Sequence, residues 1–178
     1  MKLFLTRHTR TNYNELGLCN SDPAVDVHLS DEGIDQAKQL AEKLKHEDFE
    51  RILVSTLPRT RQTAEIINTH HIVPLIEEPA LSDYDSGFEG RSADDYLAAL
   101  ASAPDMWAYR GTGKESIQDV RDRVKAFLQE LRQRDYGPTL IVTHGTVLQC
   151  IYAELEGLSN DAMWELPIPQ GDFTVVYI

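Results

Sequence analysis

Residues 2–8 read KLFLTRH, a short apolar run that ends in an arginine and a histidine. Two later apolar runs also end in polar residues, RILVS at 51–55 and TLIVTHG at 139–145. Their length and composition are typical of buried β-strands. The carboxyl ends of neighbouring parallel strands meet at one edge of a sheet, where α/β proteins bind ligands. If these three strands are parallel neighbours, their terminal polar side chains converge on one site.

Segments with helical periodicity separate the apolar runs, and this alternation predicts an α/β fold. A helix is predicted over 29–44 with Ser30 as N-cap, and another over 116–134 with Asp119 completing a capping box. No linker or repeat divides the chain, so we expect residues 1–178 to form a single domain. The other predicted elements are helices at 58–68, 92–103 and 146–155 and strands at 72–76 and 173–178.

The charge and cysteine content narrow the classes of partner and compartment. The 178 residues include 17 Lys and Arg against 29 Asp and Glu, a formal charge of −12. Such acidity argues against nucleic acid or an anionic membrane as partner. The amino-terminal apolar run is too short for a secretory signal. Cys19 and Cys150 lack metal-site spacing and are predicted to be reduced thiols of a cytoplasmic protein. A homodimer is compatible with the sequence.

The predicted convergence combines two arginines with two histidines. Arg7 and His8 end the first strand, Arg59 lies one turn into the helix after the second, and His144 follows the third. Arginine's planar fork suits two oxygens of a phosphate group. A neutral imidazole can attack phosphorus, and a second, protonated imidazole can hold a phosphate oxygen. A leaving alkoxide also needs an acid. Because these cations neutralise the phosphate, we expect neither metal nor cofactor.

Six sequence blocks carry a family resemblance, and they follow one another in the order that the family has. Together they resemble the histidine phosphatase superfamily, in its phosphoglycerate-mutase-like branch. The resemblance implies a three-layer sandwich with a mostly parallel central sheet and helices on both faces, and a helical cover over the active site at about 84–115. The blocks are TRHTRTNYN at 6–14, LSDEGIDQA at 29–37, VSTLPRTRQTA at 54–64, LSDYDSGFEG at 81–90, GKESIQDVRDRV at 113–124 and VTHGTV at 142–147.

The resemblance also implies roles for the matched residues. His8 is the expected nucleophile, and Asp83 is the expected proton donor, with Asp85 or Glu89 as lower-ranked alternatives. A small phosphorylated metabolite is the expected substrate. The residues expected to bind its phosphate are Arg7, Thr11, Asn14, Arg59, His144 and the main-chain N–H of Gly145 or Thr146.

The sequence departs from the family pattern at two positions. Thr9 replaces the glycine that follows the nucleophile, and its side chain is expected to narrow the pocket or alter the local backbone. Asp83 is one methylene shorter than the usual glutamate. Structural or surface roles are expected for Arg61, Glu115 and Arg123. Met106, Trp107 and Tyr109 are expected either to line the substrate mouth or to pack in the core.

A phosphomonoester hydrolase is the favoured function, because residues 88–115 have three basic and five acidic side chains. That balance does not suit the second anion of a phosphoglycerate mutase, which is the first alternative. A phosphohistidine-protein phosphatase is a further alternative, since an imidazole leaving group asks less of the acid. An inactive phosphoryl-binding domain is disfavoured, because the arginines and histidines of all four key positions are present.

Overall fold

The computed structural model describes all 178 residues, and its centre is one five-stranded sheet. The strands are β1 (Lys2–Arg7), β2 (Arg51–Val54), β3 (Leu75–Glu77), β4 (Thr139–Thr143) and β5 (Phe173–Tyr177). Their order across the sheet is β3-β2-β4-β1-β5. The first four strands are parallel, and β5 pairs antiparallel with β1. Since β2, β4 and β1 are parallel neighbours, their carboxyl ends share one edge.

Seven helices and one 3₁₀ turn connect the strands. Ser30 caps its helix by accepting a hydrogen bond from the Gly33 N–H. Ser116 and Asp119 form a reciprocal capping box at the start of theirs. Both caps match the sequence prediction. The helices are α1 (Asn12–Leu16), α2 (Asp31–Leu44), α3 (Pro58–Asn68), α4 (Ala93–Ser102), α5 (Ile117–Leu131), α6 (Gly145–Glu156) and α7 (Asn160–Trp164), with the 3₁₀ helix at Pro79–Leu81.

Successive strand residues enter two separate hydrophobic clusters, so both faces of the sheet are covered. Phe4 packs in the cluster that includes Leu40 and Ile67 of α2 and α3. Its neighbour Leu5 packs in the cluster that includes Val124 and Ile151 of α5 and α6. A strand buried on both faces reads as a continuous apolar run, because no position in it faces water. The predicted three-layer α/β sandwich is confirmed.

The sequence prediction misplaces β3 and misses the shortest helices. The expected strand at 72–76 starts three residues later, since Ile72 has a left-handed φ of 56°. Asn68 closes a turn by hydrogen bonding with both main-chain groups of Val73. The helices α1 and α7 have five residues each, too few to show a helical period. No helix combines the length and apolarity needed to span a bilayer.

Candidate active site

The polar ends of β1, β2 and β4 meet beside a cavity of about 220 Å³. The lining includes Arg7, His8, Arg59 and Asp83. His144 lies next to this wall with its ring centroid 5.2 Å from that of His8, and both imidazoles are buried. The main-chain N–H of His8 donates to Thr143 O at 2.9 Å, extending the β1–β4 pairing beyond the strands. The expected convergence of these residues therefore occurs.

Two hydrogen bonds fix the protonation state of the His8 imidazole. Its Nδ1 lies 2.8 Å from the carbonyl oxygen of Thr9, which can only accept, so Nδ1 carries the proton. Arg59 Nε donates to His8 Nε2 at 3.2 Å, so Nε2 is unprotonated and its lone pair accepts this hydrogen bond. Burial, together with the positive charges of Arg59 and Arg7, lowers the pKa of His8 well below 6.5. His8 is thus a neutral imidazole beside two cations.

Arg7 keeps an unpartnered hydrogen-bond donor for an anion, and hydrogen bonds to the protein hold Arg59 in a fixed orientation. Arg7 donates to the carbonyl of Ile168 at 3.3 Å, and its buried Nε has no protein partner. Arg59 donates to the side-chain and main-chain oxygens of Asn20 and to Asp83 Oδ2. Burial lowers the pKa of both guanidiniums, but arginine remains charged at any working pH.

His144 is positioned by Ser55, whose hydroxyl lies 2.8 Å from His144 Nε2. The opposite nitrogen, Nδ1, is buried without a hydrogen-bond partner and lies 3.6 Å from Asp83 Oδ2. Burial and the charge of Arg59 lower the pKa of His144 well below 6.5, so the protein's own charges favour the neutral ring. The protonated second imidazole of the sequence analysis is one that already holds phosphate. The negative charge of a bound phosphate would favour that proton.

Asp83 follows the 3₁₀ helix and faces the guanidinium of Arg59 at 3.1 Å. Its side chain is 26 % exposed, through the cavity, while the surrounding protein desolvates it. This burial raises the pKa of Asp83 although the positive charge of Arg59 opposes the shift. Arg123 binds the carbonyl of Ser82 and pairs with Glu115 at 3.0 Å, which fixes the loop carrying Asp83. Glu115 and Arg123 are structural, as expected.

The two alternative acids occupy different environments. Glu89 lines the cavity, but its oxygens accept hydrogen bonds from Asn20 Nδ2 at 2.8 Å, Ser21 N at 2.6 Å and Asp22 N at 3.0 Å. It therefore holds the loop that in turn contacts Arg59. Asp85 does not line the cavity, and its carboxylate lies 3.6 Å from a surface lysine. This geometry favours Asp83 among the three acids.

The remaining phosphate-binding candidates lie at two helix starts. Thr11 is the N-cap of α1, and it exchanges hydrogen bonds with Asn14 in a capping box. Asn14 Oδ1 also accepts from Gln170, so the Asn14 amide nitrogen is the group left for a ligand. Gly145 begins α6, where main-chain N–H groups have no helical partner and suit an anion. All three candidates line the cavity.

Thr9 does not narrow the cavity, so that expectation is wrong. Its main-chain N–H donates to Thr63 Oγ1 at 3.2 Å, and the two hydroxyls are 3.4 Å apart. The side chain is therefore buried against Thr63 of α3 and does not line the cavity. Arg61 faces the surface and pairs with Glu77 at 3.7 Å, as expected.

The cavity cover differs from the expected segment at about 84–115. Only the first part of that segment reaches the cavity, whereas Met106, Trp107 and Tyr109 pack against the core. The rest of the cover comes from residues after β1, which the sequence reasoning missed because they show no periodicity. The covering residues are Tyr13, Leu18, Cys19, Asn20, Ser21 and Val27 from this segment, and Tyr84, Ser86, Glu89, Ala93 and Tyr96 from the expected one.

The two buried histidines predict a loss of stability in mild acid. The unfolded imidazoles take up protons below pH 6.5, while the folded ones, with lowered pKa values, do not. The unfolded state then binds more protons, so the free energy of unfolding falls as pH falls below 6.5. We expect the melting temperature in phosphate-free buffer to decrease from about pH 7.5 to about pH 5.5. The decrease should be shallower in His144→Asn, and an equal slope would contradict these protonation states.

Comparisons with known proteins bear on the family and the fold of the chain. Residues 3–178 match the family model described as "Histidine phosphatase superfamily (branch 1)". The chain is 29% identical to phosphoserine phosphatase 1 of Hydrogenobacter thermophilus, covering all of this chain and 87% of the relative. It is 30% identical to the adenosylcobalamin/alpha-ribazole phosphatase of Salmonella typhi, covering 100% and 91%. The crystal structure of the alpha-ribazole phosphatase from Shigella flexneri superposes with a TM-score of 0.86 at 29% identity, covering 100% and 91%.

Proposed function

Because the chain belongs to branch 1 of the histidine phosphatase superfamily, it is a phosphatase that works through a phosphohistidine, and we propose His8 as the residue that carries the phosphoryl group. Its substrates are small phosphorylated compounds. The observation that supports His8 is the neutral imidazole with its Nε2 lone pair beside Arg59. A neutral ring flanked by fixed cations combines a nucleophile with a binding site for the phosphate that it attacks.

In the first step, His8 Nε2 attacks phosphorus while the bond between phosphorus and the ester oxygen breaks. Arg7, Arg59 and the unpartnered Nδ1 of His144 would bind the non-reacting phosphate oxygens. The charge that develops on those oxygens is thereby stabilised by groups already in place. The leaving oxygen takes a proton from Asp83, whose raised pKa favours the protonated acid.

In the second step, water attacks phosphorus and the bond to His8 Nε2 breaks. The Asp83 carboxylate formed in the first step takes a proton from that water, so its protonated form is regenerated. Inorganic phosphate leaves and His8 returns to its neutral state. The Thr9 carbonyl accepts from His8 Nδ1–H throughout, which keeps Nε2 directed to phosphorus and stabilises the positive charge on the phosphorylated ring.

The proposal predicts hydrolysis of p-nitrophenyl phosphate in the presence of EDTA. The guanidiniums of Arg7 and Arg59 supply the positive charge that neutralises the phosphate, so chelation should leave the rate unchanged. Release of p-nitrophenolate measures the reaction, and 3-phosphoglycerate tested in parallel should show little isomerisation to 2-phosphoglycerate. Loss of activity in EDTA that added metal restores would contradict the proposed mechanism. Efficient isomerisation would contradict hydrolysis as the main reaction.

A further inference from the structure

The wall of the cavity away from the phosphate site carries negative charge. Four charged side chains line the cavity, and the two cations, Arg7 and Arg59, lie at the His8 end. Asp83 pairs with Arg59 at that same end, so Glu89 is the carboxylate that charges the rest of the wall. Glu89 is fixed in this wall by the three hydrogen bonds from Asn20 Nδ2 and the main-chain N–H groups of Ser21 and Asp22.

The Glu89 charge acts on the interior of the site. Burial raises the pKa of Cys19, which also lines the cavity, and the Glu89 charge adds to that shift while Arg91 opposes it. Burial lowers the pKa of Arg59, and the Glu89 charge opposes that shift. The donors that hold Glu89 are neutral, so they orient the carboxylate without cancelling its charge. Around it the wall presents uncharged dipoles. Tyr84 and Tyr96 are hydrogen-bonded to each other through their hydroxyls, and the pKa of Tyr96 is raised to about 12, mainly by burial.

The basic side chains of the segment at 84–115 contact other groups and do not line the cavity. The Arg91 guanidinium stacks on the ring of Phe88 at 4.2 Å. Arg110 forms two hydrogen bonds with Asp119, and Lys114 is paired with Asp85 at the surface. Beyond Arg59, whose partner Asn20 also binds Glu89, a substrate in the cavity therefore meets a carboxylate and uncharged dipoles.

We infer that this wall selects phosphomonoesters whose alcohol portion is uncharged or bears an ammonium group, and disfavours those whose alcohol bears a carboxylate. The inference rests on the proposed function, because it concerns the leaving group of the same reaction. A leaving alcohol is attached to the phosphate held at His8, so it must project towards the wall that contains Glu89. An added carboxylate there faces a like charge in a partly desolvated cavity, whereas an ammonium group is attracted.

A matched series of two-carbon esters tests this selection. Hydroxyethyl phosphate, phosphoethanolamine and phosphoglycolate differ mainly in the group at the second carbon, which is hydroxyl, ammonium or carboxylate. We expect kcat/KM for phosphoglycolate to be lower than for hydroxyethyl phosphate by roughly ten-fold or more, with phosphoethanolamine at least equal to hydroxyethyl phosphate. The differences should shrink at high salt, because the cavity is open to solvent. Equal or faster hydrolysis of phosphoglycolate overturns the inference.

Variants at Ser86 test whether the charge of the cavity wall causes the discrimination against phosphoglycolate. Ser86 lines the cavity and its hydroxyl makes no hydrogen bond, so replacement breaks no side-chain hydrogen bond. Ser86→Lys should reduce the discrimination against phosphoglycolate several-fold, whereas the uncharged Ser86→Gln should leave it unchanged. The melting temperatures should show that Ser86→Lys and the unchanged protein are both folded. If the ratio of kcat/KM for phosphoglycolate to that for hydroxyethyl phosphate is then equal in the two proteins, the assignment is overturned. Failure of the proposed function looks different, because then none of the three esters, nor p-nitrophenyl phosphate, releases phosphate.

Discussion

Replacement of His8 by Ala is expected to lower kcat for p-nitrophenyl phosphate by on the order of 10⁴-fold or more. The variant keeps both arginines and His144, so phosphate can still bind, but nothing remains to accept the phosphoryl group. The other imidazole cannot take over, because Ser55 holds His144 Nε2 and its Nδ1 faces Asp83. A large loss in kcat with little change in the affinity for inorganic phosphate is therefore expected.

His46→Ala is a matched control for this loss. His46 is an exposed histidine outside the cavity, and its removal should leave both kcat and KM unchanged. A melting temperature close to that of the unchanged protein would show that His8→Ala is folded. Activity within ten-fold of the unchanged protein in folded His8→Ala would contradict the nucleophile assignment.

Replacement of Asp83 by Asn is expected to affect esters according to the leaving group. An alkoxide leaves only with a proton, so hydrolysis of an alkyl phosphate should fall by about 10²-fold or more. p-Nitrophenolate is stable without a proton, and its release should fall by less than about ten-fold. Asparagine has nearly the shape of aspartate but cannot donate that proton, and rates measured on both esters separate this role from binding.

The paired esters also control for the contact that the substitution weakens. Asp83 binds Arg59 at 3.1 Å, so Asp83→Asn changes the position or charge of that arginine for every substrate alike. Asp85→Asn, at a carboxylate outside the cavity, should leave both rates unchanged. Equal losses on the two esters in Asp83→Asn would show that the carboxylate positions Arg59 and donates no proton.

The sequence was sufficient to predict the position of the reacting groups. His8 and His144 each follow directly on a buried apolar strand, and parallel neighbours bring such strand ends together. The position of Arg59 follows from helix geometry, because a residue one turn into a helix stays close to the strand that precedes the helix. The helices on both faces of the sheet were implied by the family resemblance, and the continuous apolar runs agree with a sheet covered on both faces.

The contacts between loops could not be predicted in this way. Glu89 was considered only as an alternative acid, because nothing in a sequence shows that residues 20–22 fold back onto it, 68 positions away from Ser21. The contact of Asn20 with Arg59 was missed for the same reason. Thr9 is expected to narrow the pocket or alter the local backbone, but its contact with Thr63 depends on where α3 lies. Such contacts follow from the fold and have no periodic signal of their own.

The covalent intermediate itself provides the most direct test of the phosphohistidine on His8. The enzyme is mixed with a phosphomonoester and quenched rapidly in alkali, in which phosphohistidine is stable. The quenched protein is digested, and the phosphorylated peptide is sequenced by mass spectrometry. We expect one added phosphoryl group, on His8. The amount of phosphorylated protein should be proportional to the amount of enzyme, and acid treatment should remove the phosphoryl group. A phosphoryl group on His144 or on a hydroxyl side chain would contradict the assignment of the phosphohistidine to His8. Turnover by both His8→Ala and the unchanged enzyme, with no phosphorylated protein in either, would also contradict it.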